Sequence, residues 1–540
     1  MIREPSGPTV ERALDALAAS VLNEMIPVDR WAVAVALEVR GLRDVDAVRG
    51  YDRENIFALA DEVYARCRRL LVQTPPCSPN EGRSSEPEHL GAARLYWEGL
   101  LSALPVVVPL ILIVMGFGVS REFSDRDATA LVLGMILSFV TAGGPMQAIE
   151  RLGSYYREQA SYALAEALTG RVVGLGLALA VSGALVWSLF CVVLGAFPGP
   201  TVLATAVYTV LLAALWLALA VLRMQRRYLL ILLSVAVWIA TFALLTALSG
   251  MPVAAAQWTG IATAAAIAHV FGHTQLCNRP AIHLGGGGTR LPRGWLLVSA
   301  AAPYFTFGVL YFCFLFVDRI VGWSTDTPPG YPIFFSRAYE TGLIYALISM
   351  VPTIALLHGT MHRLTSHRIA AQRRFGAAEL EAHNRSFERF YRRRLYAVAG
   401  TALMSVGAAY LLARGLDGSG PLRSAGGLSG AGELGVTHPL DPSAVPEFVF
   451  WWAGLGYGLL AWGLLNTSIL FSLSEPSAVL RAILAGAVIS VVLGLVLSRS
   501  LGYWYSVAGL AAGALVFALL SAAALFPMLR RTDYYLYAAA

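Results

Sequence analysis

From about Trp97 onward the chain alternates long apolar runs with short polar breaks, and the runs number twelve. They fall near 98–119, 128–147, 172–197, 201–222, 229–249, 252–275, 295–317, 335–357, 395–413, 447–473, 478–498 and 502–527. Each approaches the ~20 residues that a helix needs to cross a ~30 Å hydrocarbon core. Lipid offers no water to a backbone N–H or C=O, so runs of this length satisfy those groups internally, as helices. The pattern predicts an all-α polytopic membrane protein of twelve transmembrane helices.

The residues before the first run are patterned differently. Segments Val10–Glu24, Val28–Arg40 and Arg53–Leu71 are amphipathic, and in the third Ile56, Leu59, Ala60, Val63, Cys67 and Leu70 recur at helical spacing with charges elsewhere. They predict a cytosolic three-helix unit over residues 1–72, too small to bury much core unaided and therefore expected to dock on the membrane part or on a partner. No secretory leader pattern opens the chain. Residues 73–94, rich in Pro, Ser and Glu, read as a linker.

The membrane part divides at a loop over residues 276–294 into two halves of six spans each, 95–275 and 295–540. In the second half, residues 361–394 are Arg-rich with Ile369, Phe375, Leu380, Phe387 and Phe390 interspersed. That composition predicts a cytoplasmic amphipathic helix lying on the anionic inner leaflet or docking a partner. The Gly- and Ser-rich stretch Gly415–Val445 reads as a disordered outer loop.

Arginines fall in every second gap. One set of loops holds Arg151, Arg157, Arg171, Arg223, Arg226, Arg227, Arg279, Arg290, Arg293 and the segment Arg363–Arg394. The other holds Arg121, Arg126, Arg319, Arg337, Arg414, Arg423 and Arg499, several beside acids. Basic loops stay inside, so both termini are expected in the cytoplasm. The net charge of +6 is mostly this bias and does not argue for nucleic acid.

The chain contains no lysine, which excludes a Walker-type phosphate loop and Schiff-base chemistry. The run Gly285–Gly288 has no strand before it and is a hinge, not a nucleotide fingerprint. Cys67, Cys77, Cys191, Cys277 and Cys313 form no paired extracellular set, so no disulfide framework is expected. The N-terminal unit offers no catalytic constellation and no cofactor site is expected; Glu122, Asp125 and Asp127 in the first outer loop keep a membrane-embedded glycosyltransferase open as an alternative, but the chain is expected not to be an enzyme.

Ionisable groups inside a membrane mark function. Asp318 and Arg319 close the seventh span, while Arg337 and Glu340 open the eighth, so a short loop is expected to bring all four together at the outer mouth. They either pin two helices or form an outer gate, with Glu340 as the candidate coupling carboxylate. On the sixth span His269, His273 and Cys277 share a face at four-residue spacing. The missing carboxylate argues against a metal, leaving a polar stripe or, with Arg151, an inner gate. Gln147, Gln257 and Asn466 are uncharged hydrogen-bonding groups suited to a cavity lining or to interhelical bonds. Pro145, Pro303 and Pro352 mark sites where helices can bend.

Several local sequences resemble the exopolysaccharide Pel transporter family of the multidrug/oligosaccharidyl-lipid/polysaccharide exporter superfamily. They are Gly144-Pro145-Met146-Gln147 followed by Arg151, Pro303-Tyr304 through Val317-Asp318-Arg319 to Trp323, Tyr331-Pro332-Ile333-Phe334-Phe335, and Gly502-Tyr503-Trp504-Tyr505 through to Asp533-Tyr534-Tyr535. Tyr155, His358 and His362 depart from that family's pattern, and the N-terminal unit is additional. The resemblance implies two six-helix bundles in a bacterial inner membrane and alternating-access export of an exopolysaccharide or its lipid-linked precursor. It also implies a cytoplasmic glycosyltransferase and further synthase subunits as partners, alongside membrane lipids. A drug/cation antiporter of the same superfamily would place a carboxylate deep in the first six spans, where none stands. A synthase scaffold is the other alternative.

Overall fold

The computed structural model describes residues 7–24, 27, 29–39, 42–73, 91, 93–101, 124–158, 162–277, 294–325, 327–374, 379–415 and 445–538. Among them every regular element is helical, and ten helices are long and apolar enough to cross a membrane. The first expected span and the outer loop 416–444 lie largely outside the described residues. The chain forms two compact units, one from residues 1–93, 359–394 and 526–540, the other from 94–358 and 395–525.

The first unit begins with four helices, α1 (Gly7–Glu24), α2 (Arg30–Val39), α3 (Asp44–Tyr51) and α4 (Ile56–Gln73). This corrects the expected three: at eight residues α3 is too short to display an amphipathic period. It is held by its ends instead. The Arg43 N–H donates to Asp46 at 3.0 Å, and the Ile56 N–H, at the start of α4, donates to Asp44 at 2.8 Å. Ile56, Leu59, Ala60, Val63 and Cys67 meet Leu14, Val21, Val33 and Leu37 in a closed core, with Leu70 at its edge. Arg66 is buried among three carboxylates, those of Glu11, Asp15 and Glu62, tying α1 to α4.

The expected single surface helix over 361–394 is not present. The segment is the end of one long helix and the start of the next, Val351–Arg374 and Leu380–Gly415. Its apolar face meets protein: Phe387 packs on His367 and His383, and Tyr391 packs on Phe526. Asn384 exchanges hydrogen bonds with the Asp533 side chain and N–H at 2.9 and 3.2 Å. Phe375 lies outside the described residues.

In the second unit, α5 (Asp125–Ala148) starts at a capping box on Ser124 and runs through a π-turn, Ile149–Gly153, shortly after Pro145. Then come α6 (Tyr162–Leu194), α7 (Gly199–Met224), α8 (Tyr228–Ser249) and α9 (Val253–Cys277). Helix α6 begins ten residues before the expected span, so Arg171 lies on a helix and not in a loop. The second half continues with α10 (Gly294–Trp323), α11 (Arg337–Ser349), α12 (Val351–Arg374), α13 (Leu380–Gly415), α14 (Val445–Ser472), α15 (Pro476–Ser500) and α16 (Ser506–Leu529). Pro352 has no N–H to return to the preceding turn, and the eighth span accordingly breaks between α11 and α12.

Helices α5 to α9 pack among themselves, as do α10, α11, α14 and α15, and α5 lies along α10 where the halves join. Phe139 stacks on Trp216 and on Phe312 at that seam. Below it Gly143 faces Gly308 so closely that a Cβ on Gly308 would stand 2.3 Å from the Gly143 carbonyl oxygen. Only two glycines permit that crossing.

Candidate functional site

Trp323 ends α10, and a loop through Gly330, in the left-handed region at φ +80°, turns the chain back so that α11 starts beside it. The Phe334 N–H donating to the Trp323 carbonyl at 3.0 Å closes this return. The last turns of α10 and the first of α11 thereby share their charges. Arg319 Nε donates to Glu340 Oε1 at 3.2 Å, and Arg319 Nη1 lies 3.7 Å from Asp318 Oδ1 and donates to the Leu315 carbonyl at 3.2 Å. The Tyr339 hydroxyl donates to Asp318 Oδ2 at 3.0 Å and accepts from Ser506 of α16 at 2.8 Å. The guanidinium also stands 5.2 Å from the ring centre of Phe316.

All three charged side chains are at most 2% exposed. Asp318 Oδ1, Glu340 Oε2, Arg319 Nη2 and the Tyr457 hydroxyl are buried without a hydrogen bond. With every group ionised the cluster carries two negative charges and one positive. A pair at ~4 Å gains about 4 kcal/mol at an effective dielectric of 20, while burying an ion without compensation costs several kcal/mol. One guanidinium therefore balances one carboxylate, and the second carboxylate is left without a matching positive charge.

Three of the four expected residues thus come together; Arg337 does not join them. It reaches instead to Asp125 at the start of α5, at 3.0 Å and partly exposed, an ion pair across the two halves. Around it the Phe335 N–H donates to Thr129 at 3.1 Å, and the Tyr331 and Thr201 hydroxyls lie 3.2 Å apart. Tyr331 also packs on Phe197 in an apolar cluster with Leu133, Cys191 and Val202. The aromatic density of residues 331–335 marks this contact in the sequence, while its partners on α5 to α7 leave no trace at that distance.

The inner-gate candidates separate. The Arg151 guanidinium, in the π-turn, stands 4.9 Å from the centre of the Tyr304 ring and so touches the second half. Among the described residues, His269 and His273 line, with Glu166 and Thr169, a cavity of about 290 Å³ formed by α6, α7 and α9. A His269 ring nitrogen, Nε2, is 3.1 Å from the Ala214 carbonyl. Helix α9 packs against α7 and α8 of its own half. Elsewhere Glu150 pairs with Arg223, and Arg157 donates to the Met224 carbonyl. The Tyr228 hydroxyl and His358 lie 3.4 Å apart.

Of the lining candidates, Gln257 accepts from the Tyr208 hydroxyl at 2.7 Å, and Asn466 donates to the Ala518 carbonyl and to Ser521 at 3.2 and 3.0 Å. Both are buried and bond between helices. Gln147 rests its side chain against Gly308 at the seam.

The fold and site together define an all-α, multi-pass membrane protein whose two bundles differ in charge. No family model matches the chain, and no curated protein matches its sequence. Its fold is similar to solved transporters. An inward-facing multidrug resistance MATE family transporter of the MOP superfamily aligns with TM-score 0.57 at 11% identity, over 81% of this chain and 95% of that one. The Vibrio cholerae MATE transporter VcmN gives 0.58 at 13%, over 82% and 97%. The eukaryotic MATE transporter AtDTX14 gives 0.56 at 15%, over 84% and 99%.

Proposed function

We propose that this chain is an alternating-access carrier that exports an exopolysaccharide, or its lipid-linked precursor, across a bacterial cytoplasmic membrane. Its fold is similar to that of transporters over nearly their whole length. The ordered local resemblance to the Pel transporter family favours a polymer or its precursor as cargo. The observation that carries the reading is the buried cluster of Asp318, Arg319 and Glu340, an ionic centre with one more carboxylate than arginine. Uptake and release of one positive charge there supplies a means of driving the cycle, since a charge crossing a 100 mV potential is worth ~2.3 kcal/mol. A soluble glycosyltransferase that makes the polymer and other synthase subunits are the partners this reading requires.

The test measures exported carbohydrate and the intracellular lipid-linked pool in cells lacking the gene, restored with wild type, or restored with Glu340→Gln. Export that returns with wild type but not with a membrane-inserted Glu340→Gln variant supports the reading. Unchanged polymer in both compartments on deletion removes it, and points to small-molecule efflux of the kind named for the multidrug transporters of similar fold.

A further inference from the structure

In the first unit the start of α13 returns along the end of α12, and His367 fixes their register. Its ring stacks on Phe390 at 4.9 Å and 17°, meets Phe387 edge-on at 5.0 Å, and its Nε2 lies 3.5 Å from the Ser386 hydroxyl. Residues four apart share one face of a helix, a turn away from each other. Arg363, one turn before His367 on α12, therefore stands level with Arg394, one turn after Phe390 on α13. The Arg394 guanidinium lies 5.3 Å from the centre of the Phe390 ring, which holds it on this strip by a cation–π contact.

Two positive charges are thus packed face to face. Among the described residues neither is paired with a carboxylate, because the acids of these helices are engaged elsewhere: Glu388 with Arg392 and Glu381 with Arg385, both at 2.5 Å, and Glu379 with Arg68 at 3.9 Å. Arg392 points away from the strip, two residues and so more than half a turn short of Arg394. Burial and the charge of Arg363 hold the Arg394 guanidinium below its ordinary value, as expected of like charges at short range. An anion between the two would relieve that repulsion. A carboxylate brings one charge and two oxygens to a pair of five-donor guanidiniums, whereas a phosphate group brings about two charges and three acceptor oxygens.

We propose that Arg363 and Arg394 form a binding site for a phosphomonoester or diphosphate group, which bridges the two guanidiniums and accepts hydrogen bonds from both. Arg363 follows the eighth expected span and Arg394 immediately precedes the ninth, so the site lies at the membrane boundary. A lipid headgroup and a soluble phosphate both have access there, and the site stands whatever the protein carries.

The experiment titrates the delipidated full-length protein, in phosphate-free buffer, with inorganic pyrophosphate, with phosphatidic acid and with phosphatidylcholine as the control, reading binding by native mass spectrometry and stability by the thermal midpoint. At least one of the two phosphate probes is expected to bind more tightly than the control and to raise the midpoint. Arg363→Gln and Arg394→Gln should each weaken that binding about tenfold or more, the scale of a lost charge-assisted hydrogen bond. Arg392→Gln, which removes an arginine already paired with Glu388, should change it by no more than about twofold. Without ligand, loss of one of two like charges should leave the midpoint at or above the wild-type value, where loss of a merely structural arginine would lower it. Binding of neither phosphate probe by wild type, or equal weakening by Arg392→Gln and Arg394→Gln, overturns the proposal. Pyrophosphate that displaces phosphatidic acid at equal concentration assigns the site to a soluble phosphate, and phosphatidic acid that resists it assigns the site to a lipid headgroup; both results support the phosphate site.

Discussion

The two halves of the membrane unit are both helical and handle charge in opposite ways. In the first half, ionisable groups stay near the helix ends: Glu150 with Arg223, and Glu166 with the histidines around an open cavity. In the second half, Asp318, Arg319 and Glu340 are closed off completely, with hydrogen bonds left unmade. Groups at a rim exchange partners with water at little cost. A dry cluster changes state only when its helices move, since desolvated charges are retained only while paired. On the proposed function, any charge-dependent step of the transport cycle is therefore expected in the second half.

The largest effect should come from removing the one cation of that cluster. Arg319→Ala leaves two carboxylates buried together and should destabilise by about 3–5 kcal/mol. Arg319→Ala/Glu340→Gln removes a negative charge as well and should recover much of that loss. Thermal unfolding in detergent checks both. A double variant no more stable than the single one would show that the charge balance does not govern this site.

Next in size is the seam. A side chain at Gly308 meets the Gly143 carbonyl directly, and both sides are backbone, so α5 and α10 must separate. Gly308→Val should cost about 1–3 kcal/mol, the range for overpacking. It should also weaken disulfide cross-linking between cysteines placed at Thr129 and Phe335, which are bonded across the same seam. Gly170→Ala, facing open space, should leave the same cross-link intact.

How much of this contrast was legible in sequence follows from distance along the chain. Apolar runs mark spans one by one, and residues 318–319 and 337–340 are joined by a short loop, so the triad was within reach. The partner of Arg337 lies on a helix more than two hundred residues earlier, and only packing of the two halves identifies it. The direction in which a polar side chain points was equally hidden. His269, Gln257 and Asn466 share helical faces with apolar residues, and their targets are carbonyls and hydroxyls of other helices. In the N-terminal unit the periodicity of α4 located the core, yet Arg66 reads as one charge among many until Glu11 and Asp15 are seen to close over it.

That unit supplies a smaller effect with a definite sign in pH. Burial of the Cys67 thiol in the α1–α4 core disfavours the thiolate and pushes its pKa up to about 11, above the ordinary value of 9.0. A group whose folded pKa is raised contributes stability that is present in full below the unfolded value and lost as pH rises through the folded one. The unit should accordingly weaken between pH 9 and about 11, and Cys67→Ala should flatten that slope while lowering stability at neutral pH through a lost buried contact. Maleimide labelling of the folded protein across this range checks it, because Cys67 reacts only when the core opens.

The smallest effect is expected at Arg337 and Asp125, where charge links the halves but water still reaches both side chains, 33% and 46% exposed. Partly exposed pairs are worth about 0–1 kcal/mol and are screened by salt. Asp125→Asn should therefore shift thermal stability little, and its effect should vanish in high salt, whereas the response of Glu340→Gln, out of reach of ions, should not. A salt dependence shared by both variants would mean that the second-half cluster is wet, and the contrast between the two halves would fail at its root.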